Sequence, residues 1–158
     1  KRIVVGAAML PNEKIIRESS SNLFVTMFYA IFDVKKREVI FASGGHFPTL
    51  YVPKEGESQF LDVEDGLPIG MLDSEYSGNK IQYNENDVFV FYTDGITEAA
   101  NKKKEMYGAE RLAALVEKNR ELSADQILKI IEKDVRIFEP KHRQSDDITF
   151  IVIKFPKG

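Results

Sequence analysis

The stretch Val88-Phe-Val-Phe-Tyr-Thr-Asp-Gly95 decides the fold. Five successive β-branched and aromatic residues followed by Thr-Asp-Gly read as a buried strand that delivers one carboxylate, Asp94, at its end. Gly95 then allows the backbone to turn sharply or to approach another group closely. A counterpart lies near the other end of the chain, where Gln144-Ser-Asp-Asp-Ile-Thr149 leads into the apolar run Ile148 to Phe155. Apolar residues there fall on both alternating faces, so this strand is expected to be central and covered on both sides. If the two strands are antiparallel neighbours, the end of one meets the start of the other, and Asp94 approaches Asp146. Adjacent carboxylates at the rim of an apolar sheet repel one another unless a cation or proton neutralises them. Taken singly, either segment is an ordinary polar turn, because Asp and Gly dominate turns.

Working outward, Phe24 to Phe32, the polar stretch Asp33 to Glu38 and the apolar Val39 to Ala42 read as a β-hairpin. Further strands are expected at Leu50 to Pro53, Phe60 to Val63 and Lys80 to Tyr83, separated by Gly, Asn, Asp and Pro clusters. Helical spacing takes over in Glu110 to Lys118, with Leu112, Leu115 and Val116 on one face, and again from Ala124 to Phe138. Ser123 with Gln126 three residues on forms a capping-box signature for the second helix. Strands, then two helices, then a returning strand give an α+β class of layered, mainly antiparallel sheets. No repeat or Pro/Gly linker splits the chain, so residues 1–158 are expected to form a single domain.

The bulk chemistry narrows the function. The 158 residues carry a net charge of -3, which gives no diffuse positive field for nucleic acid. Zero cysteines exclude thiolate metal sites, and with two histidines any metal would be held mainly by carboxylate oxygen, which suits Mg or Mn over Zn. Apolar runs fall short of the roughly 20 residues of a membrane-spanning helix, so a soluble, cytoplasmic chain is expected. Lys1-Arg2 followed by the apolar run Ile3 to Leu10 resembles a signal peptide only superficially; without an initial Met, it reads as the cut edge of a larger protein.

Six motifs occur in order: Phe24-Val-Thr-Met-Phe-Tyr-Ala30, Ala42-Ser-Gly-Gly-His-Phe-Pro48, Pro68-Ile-Gly70, Tyr92-Thr-Asp-Gly-Ile-Thr-Glu-Ala99, Met106-Tyr-Gly108 and Gln144-Ser-Asp-Asp-Ile-Thr149. Together they resemble the PP2C-type (PPM) serine/threonine phosphatases of the bacterial SpoIIE/RsbU branch, from about Phe24 to Phe155, with residues 1–23 an atypical edge. The resemblance implies a PP2C-like sandwich of two antiparallel sheets flanked by helices. It also implies two Mn or Mg ions that bind a water and the substrate phosphate. In the family the aspartates matching Asp94 and Asp146 ligate metal. Asp147 is adjacent and second to them, since its side chain should point to the opposite strand face from that of Asp146. Gly95, Gly44, Gly45 and Glu98 match the pattern in structural roles. His46 could shuttle a proton or touch phosphate, although a hydrogen-bonded corner residue is the plainer reading. His142 reads as a solvated loop residue.

The substrate implied is a phosphorylated anti-anti-sigma protein of the STAS type, with a sensor or receiver domain upstream and a homodimer as a compatible assembly. A small phosphate ester is a further substrate class that phosphate-reading and metal-binding residues leave open. The run Asn101-Lys-Lys-Lys104, close after Asp94, is either a solvated loop or an element that steers an acidic phosphoprotein. Where the resemblance breaks is residues 1–23. The family's first two acidic motifs belong there, yet the segment holds only Glu13 and Glu18 as acids. Truncation, missing intervening residues and natural degeneration each account for this. The last motivates the alternative of a catalytically inactive interaction or oligomerisation module.

Overall fold

In the computed structural model, residues 2–5, 24–62, 66–72, 76–139 and 147–155 are described. Its strands are β1 (Arg2–Val5), β2 (Met27–Asp33), β3 (Glu38–Gly44), β4 (Thr49–Val52), β5 (Gln59–Leu61), β6 (Asn79–Gln82), β7 (Val88–Tyr92) and β8 (Phe150–Lys154). Its helices are a single turn, α1 (Asp94–Thr97), then α2 (Ala109–Lys118) and α3 (Ala124–Phe138). The contacts divide the chain into two compact units, Lys1–Pro48 with Asp62–Tyr83, and Thr49–Leu61 with Asn84–Gly158.

The first unit holds an antiparallel sheet in the order β1-β2-β3-β6. The expected hairpin is β2–β3, and Asp33 fixes its turn by accepting hydrogen bonds from the backbone N–H of Lys35 and Lys36 at 3.1 and 3.2 Å. Alternation buries Phe28, Ala30 and Phe32 of β2 and Val39 and Phe41 of β3 on one face. Phe28 stacks on Phe41 with centroids 5.6 Å apart. The β-branched run of β1 pairs Ile3 with Phe32, so Arg2–Val5 adds an edge strand where the sequence suggested only a cut edge.

The second unit holds the antiparallel sheet β5-β4-β7-β8. All five residues of β7 are buried. One face of this sheet, with Leu50, Val52, Val88, Val90 and Tyr92, shares a core with Leu112 and Val116 of α2 and Ile127, Ile131 and Val135 of α3. Burial of each such aliphatic side chain stabilises by about 1.5–3 kcal/mol relative to exposure, which explains why the 3.6-residue periodicity was so plain. The capping box is present: Ser123 Oγ accepts from Gln126 N–H at 3.3 Å, and Gln126 Oε1 accepts from Ser123 N–H at 3.0 Å.

One expectation is corrected. Among the described residues β8 is an edge strand, paired with β7 alone, and Ile151 is 48% exposed. Its apolar residues on both faces mislead because Phe150 and Val152 pack against the helical core while Ile151 and Ile153 occupy the other face, only partly covered.

Ahead of β7, Asp87 is fully buried and accepts three hydrogen bonds, from Tyr51 Oη at 2.6 Å and from the N–H groups of Lys54 and Asn84, each at 2.7 Å. Burial and this carboxylate push the Tyr51 hydroxyl well above its ordinary range. The cluster joins β4 to the entry of β7 and so fixes the strand that carries Asp94. Among the described residues, no helix is long and apolar enough to cross a membrane.

Candidate metal centre

β7 ends at Tyr92, and the chain turns at once into α1, whose first residue is Asp94. The carboxylate therefore sits on a helical turn just beyond the strand, half-buried, with its backbone carbonyl held by Glu98 N–H at 2.8 Å and Thr97 Oγ1 at 3.3 Å. Thr93 joins this turn to the segment before β8. Its N–H donates to Thr149 O at 3.0 Å, its Oγ1 accepts from Thr149 N–H at 3.2 Å, and Oγ1 lies 3.2 Å from Asp147 O as a donor. These bonds extend the β7–β8 ladder, which pairs Tyr92 with Phe150, by one step past the strand ends.

Gly95 closes the contact. A β-carbon at this position would lie 2.6 Å from Asp147 O and 3.1 Å from its carbonyl carbon, a distance that backbone atoms cannot yield cheaply. Close approach is therefore what the glycine provides. Thr93-Asp94-Gly95 and Asp147-Ile148-Thr149 thus lie against each other at one end of the β7–β8 pair, as the antiparallel argument required. Asp147 is exposed there, three residues before β8 begins. Asp146, the partner expected for Asp94, lies outside the described residues, as does His142.

The donor chemistry at this rim fits a hard divalent cation, since Asp94 and Asp147 offer carboxylate oxygen and the chain has no cysteine. Among the described residues no group of three or more His, Asp or Glu is close enough together to hold an ion. Tyr92 offers no base near neutral pH, because burial, with a smaller contribution from Glu110, pushes its hydroxyl up to about 12.

His46 belongs to the first unit, in a corner where Ser43 Oγ accepts from His46 N–H and donates to His46 O, both at 3.3 Å. Gly45 beside it has φ +67°, and a β-carbon there would meet Pro68 at 2.6 Å. Ile69 pairs with Val25 through two backbone hydrogen bonds of 2.8 Å. The Gly-Gly-His and Pro-Ile-Gly motifs are thus read structurally as parts of one packed corner. Thr93 is the residue that sequence reasoning passed over: its hydroxyl satisfies both directions of the junction, and the only signal was its place immediately before the acidic residue.

Residues 7–156 match the family described as Stage II sporulation protein E (SpoIIE). The chain is 27% identical over 158 residues to Protein IcfG of Synechocystis sp., and 28% identical over 145 residues to Phosphoserine phosphatase RsbU of Bacillus subtilis. These alignments take in 97% and 90% of this chain but only 25% and 42% of the two relatives' lengths. In three dimensions it resembles the SiaA-PP2C domain of Pseudomonas aeruginosa, with a TM-score of 0.78 at 20% identity, over 91% of this chain and 57% of that one. The fold class, α+β with two antiparallel sheets and a few helices, matches that of PP2C-like neighbours, as the motifs implied. With nearly its whole length matched, the chain belongs to the SpoIIE family, a branch of PP2C-like phosphatase domains related to RsbU.

Proposed function

We propose that this chain is the phosphatase domain of a bacterial signalling protein and that it hydrolyses phosphoserine or phosphothreonine on a partner protein with the help of Mn or Mg. The observation that carries this reading is the clamp of Thr93-Asp94-Gly95 on Asp147-Ile148-Thr149, which brings the chain's two acidic motifs to one sheet end. Asp94 and Asp146 would hold the metal, with Asp147 beside them. When bound, the metal pair lowers the pKa of a water to near neutrality and offsets phosphoryl charge. The chain's own part is positional. Asp94 is anchored through its backbone to α1, and Thr93 ties that turn to the segment Asp147-Ile148-Thr149.

The substrate favoured is a phosphorylated anti-anti-sigma protein of the STAS type, by likeness to the SpoIIE/RsbU branch, with a sensor or receiver domain upstream, in the cytoplasm. A second reading, a catalytically inactive interaction module, is favoured by one feature of the sequence: residues 1–23 contain no aspartate. Incubating the full-length protein with phosphoserine-bearing STAS proteins and Mn separates the two. Release of inorganic phosphate supports the phosphatase; none, with a well-folded protein, leaves the docking module.

A further inference from the structure

The loop after α1 is held in one shape by a single side chain. Asn101 Oδ1 accepts from the N–H groups of Lys103 at 2.8 Å and Glu105 at 3.1 Å, and Asn101 Nδ2 donates to Glu105 Oε2 at 2.7 Å. Backbone bonds from Lys104 N–H to Asn101 O and from Asn101 N–H to Glu105 O complete the turn. Lys104 is held at φ 65°, a region L side chains seldom adopt. The turn is tied back to α1 by Tyr107 N–H to Ala99 O at 2.8 Å and Gly108 N–H to Thr97 O at 3.0 Å. Lys102, Lys103 and Lys104 are thereby presented together, exposed, and among the described residues none of them is in an ion pair.

Beside this loop is a cavity of about 350 Å³ lined by Asn101, Lys102, Lys103, Glu105, Ile137 and Phe138. Its apolar side comes from the end of α3. Phe138 is fixed by an edge-on contact with Tyr107, centroids 5.3 Å apart, and by the Arg111 guanidinium 4.7 Å from its centroid. Arg111 is itself held by Asp134, which also accepts from Tyr107 Oη at 2.7 Å. Ile137, by contrast, is 70% exposed. A concavity with one fixed aromatic wall, one exposed aliphatic side chain and exposed lysines at its rim suits an apolar side chain flanked by carboxylates. The neighbouring cations Arg111 and Arg136 are already matched, by Asp134 and Glu132, so among the described residues of this surface it is the lysines that supply unmatched positive charge.

We infer that this cavity is a docking pocket for an acidic segment of the phosphoprotein substrate. One apolar side chain of that segment enters against Ile137 and Phe138, and its flanking carboxylates meet Lys102 and Lys103. This rests on the reading of the chain as a protein phosphatase, but docking itself needs neither metal nor hydrolysis.

The probe is the acetylated, amidated peptide Asp-Glu-Leu-Asp-Glu, titrated to millimolar concentration into the full-length protein carrying labelled isoleucine methyls. The Ile137 methyl signal is expected to shift and saturate. The double change Lys102→Ser with Lys103→Ser, or Ile137→Ser alone, is expected to weaken the peptide roughly tenfold, the order of two lost exposed charge pairs or one lost apolar contact. An unmoved Ile137 signal, or binding within twofold of the original in the lysine variant, overturns the pocket. So does a concentration-dependent Ile137 shift without peptide, which would assign the surface to a second copy. Lysine-dependent binding to phosphatidylserine vesicles with no response to peptide would assign it to a membrane. Turnover of p-nitrophenyl phosphate with Mn keeps the two claims apart. Turnover without a peptide response removes only the pocket, and a peptide response without turnover removes only the phosphatase reading.

Discussion

Gly95 and the carbonyl of Asp147 are in backbone contact: a β-carbon on Gly95 would stand 2.6 Å from that oxygen. The contact sets how closely the segment that starts at Asp94 can approach the segment that ends at Thr149. A methyl group there has to push one of them aside, since the opposing atoms are main chain. Gly95→Ala is expected to destabilise the chain by about 1–3 kcal/mol, the usual scale for overpacking a tight contact, and to weaken Mn binding. Urea denaturation and calorimetry read the two effects. Full stability together with unaltered Mn affinity would show that the contact is slack.

Thr93→Val keeps the shape and removes the hydroxyl. Thr149 N–H then loses its 3.2 Å acceptor and Asp147 O its 3.2 Å donor. A loss of about 1–2 kcal/mol is expected for two neutral, partly exposed hydrogen bonds. Faster amide exchange should be confined to the Thr149 end of the β7–β8 pair. Uniformly faster exchange across β7 would contradict the local role.

Much of this arrangement was legible beforehand. The Val88–Tyr92 run, the capping box at Ser123 and the helical faces are local signals, in which residue type and spacing suffice. The junction at Asp94 was legible in outline, because an antiparallel pair of neighbouring strands has to bring one end to the other's start. What escaped were features set by tertiary partners. The edge position of β8 among the described strands depends on which strands pair with it, which apolar content cannot report. The β1 pairing depends on the open side of β2, and the double role of Thr93 depends on where Thr149 lies. Asn101 as loop organiser and Ile137 beside the lysines are likewise juxtapositions of residues far apart in the chain.

Asp134 makes a pH-dependent contribution. Hydrogen bonding from Arg111 above all, and from Tyr107, holds its carboxyl below the usual aspartate range despite partial burial. A group more acidic when folded than unfolded stabilises fully above the unfolded value and loses that contribution as pH falls through the folded one. Stability should therefore decline as pH drops below about 4, and Asp134→Asn should flatten that decline while costing on the order of 1–2 kcal/mol at neutral pH. Acid titrations of thermal midpoints provide the check, and parallel curves for the two proteins would show that Asp134 is not a contributor.

Lys104 carries backbone strain that glycine would not. With φ at 65°, Lys104→Gly is expected to raise stability by up to about 1 kcal/mol, offset in part by the greater freedom of glycine in the unfolded chain. A destabilised variant would mean that the lysine side chain contributes more to the fold than the turn geometry indicates.

The most direct test of the shared acidic site is calorimetric titration of Mn into the full-length protein and its Asp94→Asn and Asp146→Asn variants. Each single change should abolish measurable Mn binding while leaving stability unchanged or slightly higher, the outcome expected of two carboxylates that share one ion and repel each other when no metal is bound. Undiminished Mn binding in either variant would contradict the assignment of these two aspartates to one metal centre.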